Sequence, residues 1–202
     1  MVIDDLRQVN RLWKRIYPYL ALQIMESFQK DSGLVLELGP FAGGISLALS
    51  RLHPDLQFTI ADESSEVLEY LGEELTYSGL PQGMKIQKTS FDYLIFQDSQ
   101  FDLVIFRGAF FFLRKRETLL REIFRVLKDG GMAFVGGGYG KYTPKQLIDE
   151  IAGESRRLNN RLGRERVTME ELEELGRKSN LPDAWEIEQE GGLWVKIRKE
   201  RT

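Results

Sequence analysis

The chain has 202 residues, enough for one well-buried core and short for two. Its 42% hydrophobic and 29% charged residues suit a globular protein in water, and no apolar run approaches the roughly 20 residues a bilayer span requires. A net charge of −3 disfavours general nucleic-acid binding, and the absence of cysteine excludes disulfides, thiolate metal sites and a cysteine nucleophile. One histidine, His53, leaves little for a metal site or a Ser-His triad, and no metal site is expected. The opening Met-Val-Ile-Asp-Asp-Leu-Arg carries acids where a basic leader would stand, so a cytoplasmic location is expected.

Residues 1–30 carry a helical apolar pattern, with Leu6, Val9, Leu12, Trp13 and Ile16, then Leu20, Ile24, Met25 and Phe28. Pro18 is expected to kink or divide it, giving two helical pieces that meet at Tyr17-Pro18-Tyr19. They read equally well as a packing element or a lid, and Tyr17 and Tyr19 are candidates to line a substrate pocket.

Leu34 to Leu38 reads as a central parallel strand, apolar except for Glu37. It runs into a turn, Gly39-Pro40-Phe41-Ala42-Gly43-Gly44, and then an apolar helix face of Ile45, Leu47, Ala48, Leu49 and Leu52. Glycines there let backbone approach a ligand, and the first-turn N–H groups of the helix point back at the loop. Leu56 to Ala61 reads as the second strand, with Asp62 at its end, roughly twenty residues past Gly39, where a ribose-binding acid belongs in such a unit. The pattern favours a nucleoside-containing ligand over a tight turn that binds nothing. His53 precedes Pro54 in the helix-to-strand connection at the opposite end of the sheet, so it reads as structural.

Ser64 or Ser65 caps the next helix, and Met84 to Lys88 makes a short third strand followed by Ser90 and Phe91. Phe101 to Phe106 is a fourth, buried strand ending at Arg107-Gly108-Ala109. Phe110-Phe111-Phe112-Leu113 divides between core and pocket, and a helix is expected over Arg114 to Leu127. Asp129-Gly130-Gly131 leads into a fifth strand, Met132 to Val135, and the passage Gly136-Gly137-Gly138-Tyr139-Gly140 reads as substrate access or as a simple loop. Thr143-Pro144 opens a helix, and the arginine-rich stretch over 153–166 reads as a solvated face or as recognition of an anion. Thr168 with Glu171 forms a capping box, and Trp185 to Gln189 and Leu193 to Arg198 flank a hairpin turn. The strands alternate with helices before that antiparallel hairpin.

In that order, these motifs resemble the class I S-adenosylmethionine-dependent methyltransferases, in particular their small-molecule branch. Val35-Leu-Glu-Leu-Gly-Pro-Phe-Ala-Gly-Gly is similar to the first cofactor motif, the stretch from Phe58 to Leu68 to the second, and Leu120 to Gly131 to the helix and turn before the fifth strand. The resemblance implies a three-layer Rossmann-like α/β sheet of seven strands, mostly parallel, with a C-terminal antiparallel hairpin and an N-terminal helical extension. It implies a single domain with a helical extension over 1–30, a cofactor-binding core over 31–140 and C-terminal helices and hairpin over 141–202. S-adenosylmethionine is the implied cofactor, with Glu37, Gly39, Pro40, Phe41 and Gly43 around its methionine part. Asp62 and Glu63 are implied at the ribose, Ser90 and Phe91 at the adenine, and Arg107 near the sulfonium.

Phe41 replaces the usual middle glycine, Ser90 a frequent acid, and the Phe111-Phe112 pair the histidines often found there. Tyr17, Tyr19, Phe111, Gly137 and Tyr139 are the substrate-side candidates, and no catalytic residue is singled out. A small-molecule acceptor is expected, with no membrane or nucleic-acid partner and the oligomeric state open. A nicotinamide-dependent oxidoreductase and a non-catalytic S-adenosylmethionine-binding protein are the alternatives.

Overall fold

The computed structural model describes residues 3–79, 83–109, 117–164, 167–182 and 185–200. The helices are α1 (Ile3–Trp13), α2 (Tyr17–Phe28), α3 (Gly44–Leu52), α4 (Ser65–Tyr77), α5 (Glu117–Val126), α6 (Lys145–Arg161) and α7 (Met169–Lys178). The strands are β1 (Ser32–Leu38), β2 (Asp55–Asp62), β3 (Lys85–Lys88), β4 (Phe101–Arg107), β5 (Leu127–Gly138), β6 (Trp185–Glu188) and β7 (Gly192–Arg198).

They form one seven-stranded sheet in the order β3-β2-β1-β4-β5-β7-β6. Strands β1 to β5 pair in parallel, and β7 runs antiparallel to both β5 and β6. The order reverses between β1 and β4, which is where an open α/β sheet leaves a ligand crevice beyond its carboxyl ends. Because β7 is reversed, its first residue lies at that same edge, with Gly192 opposite Gly138. The hairpin is thereby brought to the functional end of the sheet.

Alternation along the buried strands divides the core into two layers. Val35, Leu103 and Ile105 face α1, α2, α3, α4 and α6, while Leu36, Leu38, Val104 and Phe106 face α5 and α7. Glu37 sits opposite Ile105 in the register, so alternation sends Glu37 and Arg107 to the same face.

Several expectations are adjusted. The two helical pieces form as expected, but they meet over residues 14–16 rather than at Tyr17-Pro18-Tyr19: α1 stops at Trp13, and the proline occupies the first turn of α2, where its missing N–H has no helical partner to lose. Leu127 already belongs to β5, which is longer than Met132 to Val135 because it begins before the glycine turn. No helix lies between β3 and β4, so the alternation of strand and helix breaks there. Arg125 fastens that connection instead, donating to the carbonyls of Leu94 at 2.7 Å and Phe96 at 2.9 Å and to Asp98 at 2.7 Å. Glu122 accepts from the Leu94 amide at 2.9 Å and from Arg125 at 2.7 Å. The expected helix start at Arg114 and the phenylalanine run Phe110-Phe111-Phe112 lie outside the described residues.

Candidate active site

The glycine turn is held where the pattern puts it. Gly39 and Gly43 have φ of 94° and 93°, which side chains with a Cβ rarely adopt. Gly39 donates to the Ala61 carbonyl at 2.9 Å, and a Cβ on it would lie 2.5 Å from the Phe106 ring. The N-cap of α3 is Gly43, which has no side chain to cap the helix. Glu37 does that work from below: its Oε2 accepts from the Ser46 amide at 2.9 Å and from the Ser46 hydroxyl at 2.5 Å. The other oxygen, Oε1, is buried without a hydrogen bond. Burial pushes the Glu37 carboxyl above the usual range, against the pull of Ser46 and the nearby amides.

The N-terminal helices cover this turn. Asn10 donates to the Pro40 carbonyl at 3.1 Å and to the Tyr70 hydroxyl at 3.1 Å, and the Tyr17 ring lies over Gly44. Phe41, the departure from the glycine pattern, is fully buried. Its ring meets Trp13 edge-on at 5.0 Å and packs where a Cβ on Gly108 would stand. The side chain thus fills the space between the turn and the end of β4, which holds a φ of 75° at Gly108 to receive it.

On the other side of the turn, Asp62 is the last residue of β2 and is only 4% exposed. Its Oδ1 accepts from the Ser64 amide at 2.8 Å, and burial raises its pKa to about 6. Ser64 caps α4, accepting from the Val67 amide at 3.3 Å. Glu63 reaches across to accept from the Phe91 amide at 2.7 Å, which ties the ends of β2 and β3 together. Ser90 is exposed, and Phe91 is buried against Phe106 at 5.1 Å.

At the ends of β4, β5 and β7 lies a cavity of about 500 Å³. Trp13, Arg107, Gly108, Gly137 to Gly140, Asn159 and Arg164 line it, with Gly191 to Leu193 from the hairpin. Arg107 is 3% exposed, and burial lowers its pKa to about 10, so it stays charged at neutral pH. Its guanidinium stacks 3.6 Å from the Trp13 ring centroid, and Nη2 donates to the Gly138 carbonyl at 3.3 Å. Nε and Nη1 have no partner.

Of the substrate-side candidates, Gly137 and Tyr139 line the cavity, and Tyr19 is not among its lining residues. Tyr17 is buried, donates to Asn10 Oδ1 at 3.3 Å, and has its pKa raised by that burial. Phe111 lies outside the described residues. His53 pairs with Asp31 at 2.8 Å, at the opposite edge of the sheet. Sequence reasoning did not single out Trp13, Ser155 and Asn159 for the site. Trp13 read as one apolar residue in a helix stripe, and its Nε1 donates to Ser155 Oγ at 3.0 Å across 142 positions of chain. The arginine stretch splits: Arg157 and Arg161 pair with Glu154 and Asp5, each at 2.6 Å, while Arg164 turns to the cavity. Arg166 lies outside the described residues.

A doubly wound sheet with a glycine turn after β1 and a buried acid ending β2 defines a nucleoside-binding protein of the Rossmann-like class. The family model described as "Methyltransferase domain" matches residues 36–135, from the middle of β1 into β5. Among curated proteins, the ubiquinone/menaquinone biosynthesis C-methyltransferase UbiE of Xylella fastidiosa is 30% identical over 128 residues, 63% of this chain and 48% of that protein. The enzyme of the same name from Stenotrophomonas maltophilia is 32% identical over the same shares. The chain spans about half the length of these relatives. Among solved structures, a Methanococcus maripaludis protein described as an S-adenosylmethionine-dependent methyltransferase superimposes with a TM-score of 0.82 at 27% identity, covering 98% of this chain and 93% of that one. A SAM-dependent methyltransferase from Aquifex aeolicus shares the fold, with a TM-score of 0.65 at 15% identity over 95% and 96% of the two chains. Residues 36–135 thus match a methyltransferase domain, and nearly the whole chain shares the fold of a protein described as an S-adenosylmethionine-dependent methyltransferase.

Proposed function

We propose that this chain transfers the methyl group of S-adenosylmethionine to a small molecule held in the cavity beyond β4, β5 and β7. The observation that carries the reading is the meeting of turn and cavity at Gly108, which lines the cavity on one side and receives the Phe41 ring of the glycine turn on the other. A donor and an acceptor bound in these two places would be neighbours. Proximity of that kind is the main thing a protein adds to a reaction whose reactive group the cofactor brings.

The residues present fit the cofactor. The buried, unpartnered Oε1 of Glu37 awaits a donor, as the ammonium of an amino-acid moiety would provide, and the positive-φ glycines admit a ligand close to backbone. Asp62 is the acceptor for ribose hydroxyls, Glu63 holds the wall beside it, and Ser90 and Phe91 border the base. When bound, the cofactor supplies an electrophilic methyl carbon on a sulfonium.

Protein side chains then orient, dry the site and manage charge. Tyr17, the tyrosine electrostatically coupled to both Arg107 and Glu37, is a poor proton acceptor, because burial raises its pKa and its hydroxyl is committed to Asn10. No histidine or cysteine stands in the site. The acceptor therefore arrives nucleophilic, as a phenolate, a thiolate or an activated carbon.

Calorimetric titration with S-adenosylhomocysteine, S-adenosylmethionine and NADH separates the cofactor classes. The sulfur nucleosides are expected to bind and NADH not to. Methyl-label transfer to a panel of phenols, thiols and carbon acids then tests turnover. Binding of NADH alone would overturn the reading.

A further inference from the structure

Arg107 brings to this cavity two buried N–H groups that no hydrogen bond satisfies. Arg107 and Arg164 both line it, and no aspartate or glutamate does so among the described residues. The two cations lie close enough for Arg164 to push the Arg107 pKa down. Burying a guanidinium costs several kcal/mol unless its donors are met, and stacking on Trp13 returns about 2 kcal/mol of that. Glu37 attracts Arg107 without touching it, and its own carboxyl is pushed towards the neutral form. The hydrogens of Nε and Nη1 stay unspent in a fully buried position.

A second unspent group stands in the same wall. Trp13 Nε1 donates to Ser155 Oγ, which lies 3.3 Å from the Asn159 amide nitrogen. With the amide in this orientation the serine oxygen receives two donors and Asn159 Oδ1 is left buried without a partner. Turning the amide over lets the serine hydroxyl donate to Oδ1 and leaves the amide N–H groups free, a better-satisfied network. The cavity would then present Arg107 and the Asn159 amide as donors, beside an apolar wall of Tyr139, Ile148 and Leu193.

We propose that the methyl acceptor is an organic anion, whose carboxylate or similar compact oxyanion sits on Arg107 and Asn159 and whose apolar body lies along Tyr139, Ile148 and Leu193. The word acceptor rests on the methyltransferase reading; the anion site itself does not. Charge-assisted hydrogen bonds from arginine are the strongest available recognition of such a group. An anion there also offsets the positive charge that a sulfonium would add beside a buried guanidinium. The cofactor's own carboxylate offers the same chemistry, and the test separates the two sources.

Benzoate, phenyl phosphate and neutral benzamide are titrated calorimetrically into the protein, with and without saturating S-adenosylhomocysteine, and into Arg107→Met and Arg164→Gln. At least one of the two anions is expected to bind more tightly than benzamide to the nucleoside-loaded protein. Arg107→Met should weaken that anion at least about tenfold and S-adenosylhomocysteine by a much smaller factor. Arg164→Gln, at an exposed position that should not disturb folding, should weaken it about threefold and reduce its salt dependence. Near-UV circular dichroism checks the Trp13 environment in each variant, and the Arg164→Gln result stands alone if Arg107→Met does not fold. A loss of S-adenosylhomocysteine affinity in Arg107→Met as large as the loss of anion affinity would assign Arg107 to the cofactor and overturn the proposal. Equal binding of anions and benzamide would overturn it too while leaving the methyltransferase reading intact. Anion binding without any nucleoside binding would sink that reading and keep the anion site.

Discussion

Replacing Asp62 by asparagine should make the protein more stable and a worse binder at once. The Asp62 pKa is about 6, raised from 3.8 chiefly by burial. Between those values the folded chain holds the proton and the unfolded chain has lost it, so stability falls as pH rises through this window. Above pH 6 the full cost of keeping the carboxylate ionised and buried is present, about 3 kcal/mol for roughly two units. Asparagine has no charge to bury, and its side-chain oxygen can still accept from the Ser64 amide. At pH 7.5 Asp62→Asn should therefore raise Tm by several degrees in a scanning-calorimetry experiment. For the ligand the sign is opposite. Two ribose hydroxyls lose charge-assisted hydrogen bonds and keep neutral ones, a loss of about 2 kcal/mol in total, or roughly 30-fold in Kd for S-adenosylhomocysteine. The wild-type protein should lose affinity in the same way as pH falls from 7.5 to 5, and the variant should show a weaker trend, because only Glu37 remains to take up a proton at the ligand. Wild-type affinity that is flat across this range, or a variant that binds as tightly, would refute the assignment of Asp62 to the ribose.

Phe41→Ala removes a fully buried ring together with its contact to Trp13, and a loss of about 3 to 5 kcal/mol in chemical denaturation is expected. Gly39→Ala combines a φ of 94° with a Cβ 2.5 Å from the Phe106 ring, so it should lower Tm by more than a surface alanine substitution on α6 such as Gln146→Ala. Arg125→Gln cuts the ties to the Leu94 and Phe96 carbonyls, and limited proteolysis should cleave faster between residues 92 and 100 while the rest of the chain resists.

The strand, turn and helix around Gly39, the acid at the end of β2 and the capping box at Thr168 were legible because each is a local pattern. Spacing and residue type within about twenty positions decide them. The C-terminal hairpin was legible for the same reason, but its share in the site was not. Only its pairing with β5 brings Gly191 to Leu193 to the cavity, and pairing is a property of the whole sheet. Likewise Pro18 signalled a break between helices, while the decision to place it inside the first turn of α2 belonged to how both helices pack.

Phe41 shows the limit most clearly. The sequence by itself determined that a bulky ring stood where a glycine was expected; tertiary structure decided that the ring turns into the core against Trp13 and Gly108. Arg107 was visible as a basic residue ending a buried strand. Its unpartnered nitrogens exist only because α1, α6 and β7, far apart in the chain, close around it without bringing a carboxylate. A spacing rule records which groups can be neighbours along one element, whereas the balance of charge in a cavity depends on every wall at once.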